Sequence, residues 1–268
     1  MSKSRRESAK MNVLSESETH EKILELIRGW RWFHYVPEAA HDWLAERARI
    51  KRFEEGKILY LAGTPATHIY GVISGVFRIY TTSPRGHEIT LEEVVPGAWF
   101  PHIVPAEPPV YSADCSCRQD ATVVSLPLAI VAEFSRRWPA YYQGLYHEFT
   151  DRAVVILGRI ELLSLHNLNV RLAVYLLRMS RLRGRREVSG AIWIEIFDNQ
   201  TEVGARVGGT RQRVNGVLKA WVKKGLIELH KDGTRIIDTQ GLEREAKKSG
   251  FDLDGYLRGY HGGWQGRR

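Results

Sequence analysis

The 268-residue chain carries 39 Lys/Arg against 31 Asp/Glu, a net charge of +8, and is 43% hydrophobic. That is room for two modest domains, each with its own core. No run approaches the roughly 18 consecutive apolar residues of a membrane span, the polar N-terminus has no secretory apolar core, and two cysteines make no disulfide framework. A cytoplasmic protein with no membrane partner is therefore expected.

Residues 1–20 are polar and mixed in charge, and are read as a flexible segment. Ile23, Leu24, Leu26 and Ile27 begin a short helix, and Trp30, Trp32, Phe33 and Tyr35 come next as packing aromatics. A further short helix is expected over Ala39–Arg49. From Lys51 the pattern changes to short β-like runs at Ile58–Leu61, His68–Ile73, Val76–Tyr80, Ile89–Val94 and Ala121–Leu126, punctuated by glycine turns. Such spacing predicts a β-sandwich or jelly roll. Within it, Cys115 and Cys117 fall two apart, on one face of a strand. Two cysteines exclude a four-cysteine iron–sulfur cluster and, alone, a zinc site. Inert packing or a thiol switch remains. No metal site is expected.

Pro139 opens a long helix to about Leu165. Tyr142, Tyr146, Phe149, Ala153, Ile156, Ile160 and Leu163 are spaced 4, 3, 4, 3, 4, 3, a heptad seam that predicts a two-stranded coiled coil, hence a homodimer. The alternative is an amphipathic helix packed on its own domain. His166–Asn169 reads as a hinge, Val170–Met179 as helix, and Arg181–Arg186 as a basic loop near phosphates or a solvated turn.

Asp198–Leu229 reads as two short helices joined by a glycine turn. Asp198 and Asn199 supply the N-cap and Glu202 the first-turn carboxylate. Val203 and Val207 stripe the first helix, Gly208-Gly209 reverses the chain, and Thr210 caps a second helix over Arg211–Lys224. Val214, Val217, Leu218, Trp221 and Val222 mark its buried face; Arg211, Gln212, Asn215, Gly216 and Lys219 lie opposite. Arg bonds guanine in bidentate fashion, and Gln or Asn does so to adenine, so this helix suits a major groove. An ordinary helical hairpin is the alternative. The adjoining segment disfavours it, because Leu226–His230, Lys231-Asp232-Gly233 and Thr234–Ile237 are strand, turn and strand, the wing of a winged helix. Residues 168–240 hold 14 Lys/Arg and 7 Asp/Glu, the footprint of a phosphate-backbone binder. Double-stranded DNA is the expected partner. Residues 241–268, ending GYHGGWQGRR, read as a flexible tail.

The order Glu202-Val203-Gly204, Gly208-Gly209-Thr210-Arg211, Val214, Leu218-Lys219 and Gly225-Leu226-Ile227 resembles the DNA-binding domain of the CRP/FNR family of bacterial transcription regulators. The glycines at 56, 63, 75, 86 and 97 resemble its cyclic-nucleotide-binding domain. The resemblance implies an α+β chain: a jelly-roll sensor domain (21–136), a dimerisation helix and hinge (137–167), and a C-terminal winged helix-turn-helix domain (168–240). It implies dimer contacts through Tyr146, Phe149, Ala153, Ile156, Ile160 and Leu163, and makes RNA polymerase a plausible partner. The residue matching Arg211 reads a guanine in the family, but the usual Glu and Arg at the next two recognition positions are Gln212 and Gly216 here, so a different operator is expected. Arg211, Gln212 and Asn215 are the expected base readers, Thr210, Arg213 and Lys219 the phosphate contacts, with Gln200 and His230 completing the set.

In family members that bind cyclic nucleotides, a glutamate takes the ribose hydroxyl and an arginine the cyclic phosphate. Here those stretches are Gly97-Ala98-Trp99-Phe100-Pro101-His102 and Tyr111-Ser112. A phosphate without a cation is strongly disfavoured, and Ile156 and Leu157 replace the hydroxyls expected against adenine. Cyclic AMP is therefore not expected. A site made of Trp99, Phe100, Tyr111, Ser112, Ile156 and Leu157 is either filled by its own side chains or takes another ligand; a cyclic dinucleotide remains open. No cofactor is expected; some members of the family hold haem in this domain, and the resemblance makes His102, a lone histidine beside Pro101, the one candidate ligand for it. No phosphate-cradling loop, zinc-protease helix or nucleophile elbow argues for an enzyme, although an enzyme with a regulatory β-domain and a signalling protein acting through protein contacts are the competing classes.

Overall fold

The computed structural model describes residues 16–101, 109–195 and 199–259. His102, Asp198, the first 15 residues and the tail from 260 lie outside them. Strands β1 (Arg49–Phe53), β2 (Ile58–Tyr60), β3 (His68–Thr82), β4 (Glu88–Val94), β5 (Trp99–Phe100) and β6 (Asp114–Pro127) form one antiparallel sheet. The runs His68–Ile73 and Val76–Tyr80, read from sequence as separate strands, are one continuous strand. Ser74-Gly75 is a bulge within it: the register against β6 steps between Val72 and Phe77, and Gly75 takes φ 84°. A Cβ there would lie 2.4 Å from the Asp120 carbonyl oxygen, so only glycine fits. The bulge divides the sheet into a half ordered β1-β6-β3-β5 and a half ordered β2-β6-β3-β4. The halves close over one core, in which Phe77 meets Phe53 and Phe100 at ring separations of 5.9 and 5.1 Å.

Helices α1 (Glu16–Gly29), α2 (Glu38–Arg47), α3 (Leu128–Arg137) and the start of α4 (Tyr141–Leu165) cover this roll. Their aromatics pack as one cluster: Phe33 lies 5.6 Å from Trp99, 5.9 Å from Phe134 and 5.7 Å from Tyr141. Gly144 lets the backbone at Trp32 approach α4; an added Cβ would sit 2.5 Å from the Trp32 carbonyl oxygen.

The buried face of α4 repeats every seven residues, through Tyr141, Glu148, Val155 and Leu162. Tyr141 belongs to the sensor core, Val155 and Leu162 to a second core. Its other face is uncovered: Phe149 is 70% exposed and Ile156 58%.

The second core belongs to the C-terminal unit. It comprises α5 (Leu168–Arg183), a sheet ordered β7-β8-β10-β9 (Arg185–Arg186, Ile192–Glu195, Gly233–Ile236, Ile227–His230), α6 (Gln200–Val207), α7 (Arg211–Lys223), α8 (Thr239–Lys247) and α9 (Leu253–Gly259). Two expectations are corrected. Arg181–Arg186 is not one loop, since α5 runs to Arg183 and Arg185 opens a strand. The segment from Gly241, read as a flexible tail, is helical and packed as far as Gly259. Leu242, Ala246, Phe251, Leu253, Tyr256 and Leu257 are buried; the apolar periodicity that drives this is short and is masked by the Gly- and Arg-rich composition beyond it. The Tyr256 ring lies against Gly158 of α4, so α9 ties the C-terminal unit to the long helix.

Candidate nucleic-acid interface

Local chemistry sets the helix pair. The Asn199 side chain accepts from the backbone N–H groups of Thr201 and Glu202, and Glu202 accepts from that of Asn199 at 2.9 Å, a complete capping box. Gly208 ends α6 in the left-handed region at φ 63°. Gly204 admits the turn, because a Cβ there would lie 2.7 Å from the Gly209 carbonyl oxygen. Thr210 then caps α7, accepting from Arg213 N–H at 3.3 Å.

Val214, Leu218 and Trp221 bury one face of α7. Val217 is only partly buried and Val222 is 41% exposed, so the buried stripe is narrower than the spacing implied. On the opposite side Arg211, Gln212, Arg213 and Lys219 are exposed and Asn215 is half-buried. Gly216 lies among them in open space. Thr210 is exposed at the helix start, and Gln200 is half-buried in the first turn of α6. His230 is exposed at the end of β9, its ring 5.2 Å from that of Trp193. Arg171, not singled out from sequence, donates to the Leu163 and Gly208 carbonyls at 3.1 Å each, joining the end of α4 to the α6–α7 turn. Burial and the neighbouring charge of Arg213 push its guanidinium below the ordinary value.

The six residues read as an effector pocket divide between core and surface. Trp99 and Phe100 are fully buried. The Trp99 indole lies over Gly71, where a Cβ would come within 2.6 Å of it. Tyr111 stacks on Tyr60 at 3.9 Å, and its hydroxyl accepts from the backbone N–H groups of Thr67 and His68. Ser112, Ile156 and Leu157 are exposed. Cys115 and Cys117 are free and buried on β6, and burial pushes both thiols up. No group of three or more His, Cys, Asp or Glu suited to a metal occurs among the described residues.

The helix pair is held to the roll by alternating charges. Arg78 and Glu93 are cross-strand neighbours on β3 and β4. Glu93, from β4, meets Arg183 at 2.6 Å and Arg206 at 3.4 Å, and its side chain is 1% exposed. Glu202, one turn before Arg206 on α6, meets Arg118 at 3.3 Å and stands 3.9 Å from Arg78.

A rolled β-domain, a long helix with one bare apolar face and a winged helix-turn-helix together define a two-domain DNA-binding regulator. The cyclic nucleotide-binding domain profile matches residues 50–137 and the Crp-like helix-turn-helix profile residues 170–245. The chain belongs to the CRP/FNR family of transcription regulators. It is 23% identical to the CRP-like cAMP-activated global transcriptional regulator of Mycobacterium tuberculosis, over 80% of this chain and 96% of that one. The crystal structure of TTHB099, a CRP-family regulator of Thermus thermophilus, is similar at TM-score 0.61 and 25% identity, covering 76% of this chain and 99% of that one. A CooA mutant of Carboxydothermus hydrogenoformans shares the fold at TM-score 0.60 and 24% identity, covering 75% and 88%. No helix among the described residues is long and apolar enough to cross a membrane.

Proposed function

We propose that this regulator acts in the cytoplasm as a homodimer on a near-palindromic operator, independently of cyclic AMP, with RNA polymerase as its eventual partner. The carrying observation is the face of α7: Arg211, Gln212, Arg213 and Lys219 stand exposed on a helix whose other side is fixed by Val214, Leu218 and Trp221. Arg211 reads a base, Gln212 and Asn215 assist, and Thr210, Arg213, Lys219, Gln200 and His230 hold backbone or neighbouring positions. Pairing through Tyr146, Phe149, Ala153, Ile156, Ile160 and Leu163 would cover the bare stripe of α4 and set two recognition helices about 34–36 Å apart, one turn of DNA.

Independence from cyclic AMP is supported by chemistry and space. The stretch Gly97–Phe100 offers no carboxylate, Tyr111-Ser112 offers no cation, and the aromatic rings there are already packed on Gly71, Tyr60 and Phe77. A second reading, control by another small ligand such as a cyclic dinucleotide, is favoured by an arginine-lined cleft elsewhere.

Selection of bound DNA from a random pool by ligand-free protein at near-physiological salt tests the proposal. A palindromic consensus is expected, and Arg211→Ala should cost about 1–3 kcal/mol on it while relaxing one position per half-site. Equal losses on selected and random DNA would remove Arg211 from base reading. A consensus that emerges only with added cyclic AMP would overturn the cyclic AMP independence.

A further inference from the structure

A cleft open to solvent lies where α4, α5, α6 and α9 meet. Arg159, Arg171, Arg178 and Arg206 line it, with Tyr175 and Tyr256 among the remaining walls. The lining contains no Asp or Glu. Glu93, shared with Arg183, is a carboxylate that meets Arg206 from outside that lining. Arg171 is held by the carbonyls of Leu163 and Gly208, and Arg159 donates to the Leu91 carbonyl at 2.8 Å. These bonds to neutral carbonyl oxygens orient the Arg159 and Arg171 guanidinium groups. Arg178 is 8% exposed, so its guanidinium is held at the inner wall of the cleft.

We propose that this cleft binds a small anion bearing a phosphate group or paired carboxylates. Planar guanidinium groups bond such anions in bidentate fashion, and the two tyrosines add apolar wall for an organic portion. The site is separate from the sensor roll's aromatic interior. Its walls come from the long helix, from both sides of the hinge and from the first helix of the helix-turn-helix, so an occupant bridges the α4 seam to the DNA-reading unit. Binding can bias that unit only if its affinity differs between two arrangements of these helices.

The same chemistry is offered by a phosphate of the DNA backbone, and the test separates the two. Full-length protein is titrated calorimetrically with inorganic pyrophosphate, without DNA and at fixed ionic strength. One saturable site per chain is expected. Arg159→Gln, at the half-buried mouth, should weaken it at least about tenfold through loss of a charge-assisted bond, and Arg178→Lys should weaken it too if folding is intact by circular dichroism. Lys219→Ala, on the DNA-facing side of α7, should leave pyrophosphate binding unchanged. No saturable binding overturns the proposal. So does binding that Lys219→Ala removes and Arg159→Gln spares, which would assign the anion to the DNA surface. Neither outcome depends on operator recognition, so failure here leaves the DNA-binding proposal untouched.

Discussion

Gly216 is the residue at which the recognition surface departs most from its surroundings. It sits in the interior of α7, and nothing lies within 4 Å of the position a Cβ would occupy. Glycine in a helix interior costs about 0.8–1 kcal/mol relative to alanine. Gly216→Ala should therefore raise stability by roughly that amount, read from the urea midpoint at unchanged slope. A loss of stability would show the position to be packed. Nothing within the fold requires this glycine, and on the proposed reading it leaves a gap in the recognition face between Gln212 and Lys219. Gly75 is the opposite case: its positive φ and the Asp120 carbonyl oxygen 2.4 Å away exclude any side chain.

Among elements, α4 carries the clearest unfinished surface. Its inward face contributes to both cores, while Tyr146, Phe149, Ile156, Ile160 and Leu163 stand exposed along one stripe. Phe149→Lys places a charge within the proposed seam and removes little intrachain packing, since Phe149 is 70% exposed. Sedimentation should give a dimer for the parent and a monomer for the variant, with unfolding of the monomer's secondary structure little changed. A variant that stays dimeric would move the interface off this face. The exposed apolar stripe of α4, the helix-turn-helix and the wing are all legible in sequence, because period, caps and the Asp-Gly turn are local signals. Four things are not. The β3 bulge looks like a turn because glycine marks both. Helices α8 and α9 hide beside a tail of biased composition. The effector residues are grouped by resemblance, and Trp99 and Ile156 prove to lie respectively in the core and on the surface. Arg171 has no local signal, since its partners Leu163 and Gly208 are brought to it only by the fold.

At the scale of the whole molecule, two apolar cores meet through buried charge. Glu93 on β4 faces Arg183 from the end of α5 and Arg206 from α6. Glu93→Gln would leave these arginines facing a neutral amide, and removing one partner of a buried pair costs about 3–5 kcal/mol. Denaturation monitored by circular dichroism should show that loss, with the C-terminal unit separating from the roll as an earlier transition. A change below about 1 kcal/mol would show the cluster to be hydrated and the domains held by other means. The two cores also divide the indoles of the described residues. Trp30, Trp32, Trp43, Trp99 and Trp138 are gathered in the roll and its helices, whereas Trp221 lies beneath α7 and Trp193 on the wing beside His230. Most of these indoles therefore lie in the half without the helix-turn-helix. Trp193, on β8 beside His230, is the built-in local fluorophore, and a protein carrying it as the sole emitter would report on the surroundings of the winged sheet without any dye.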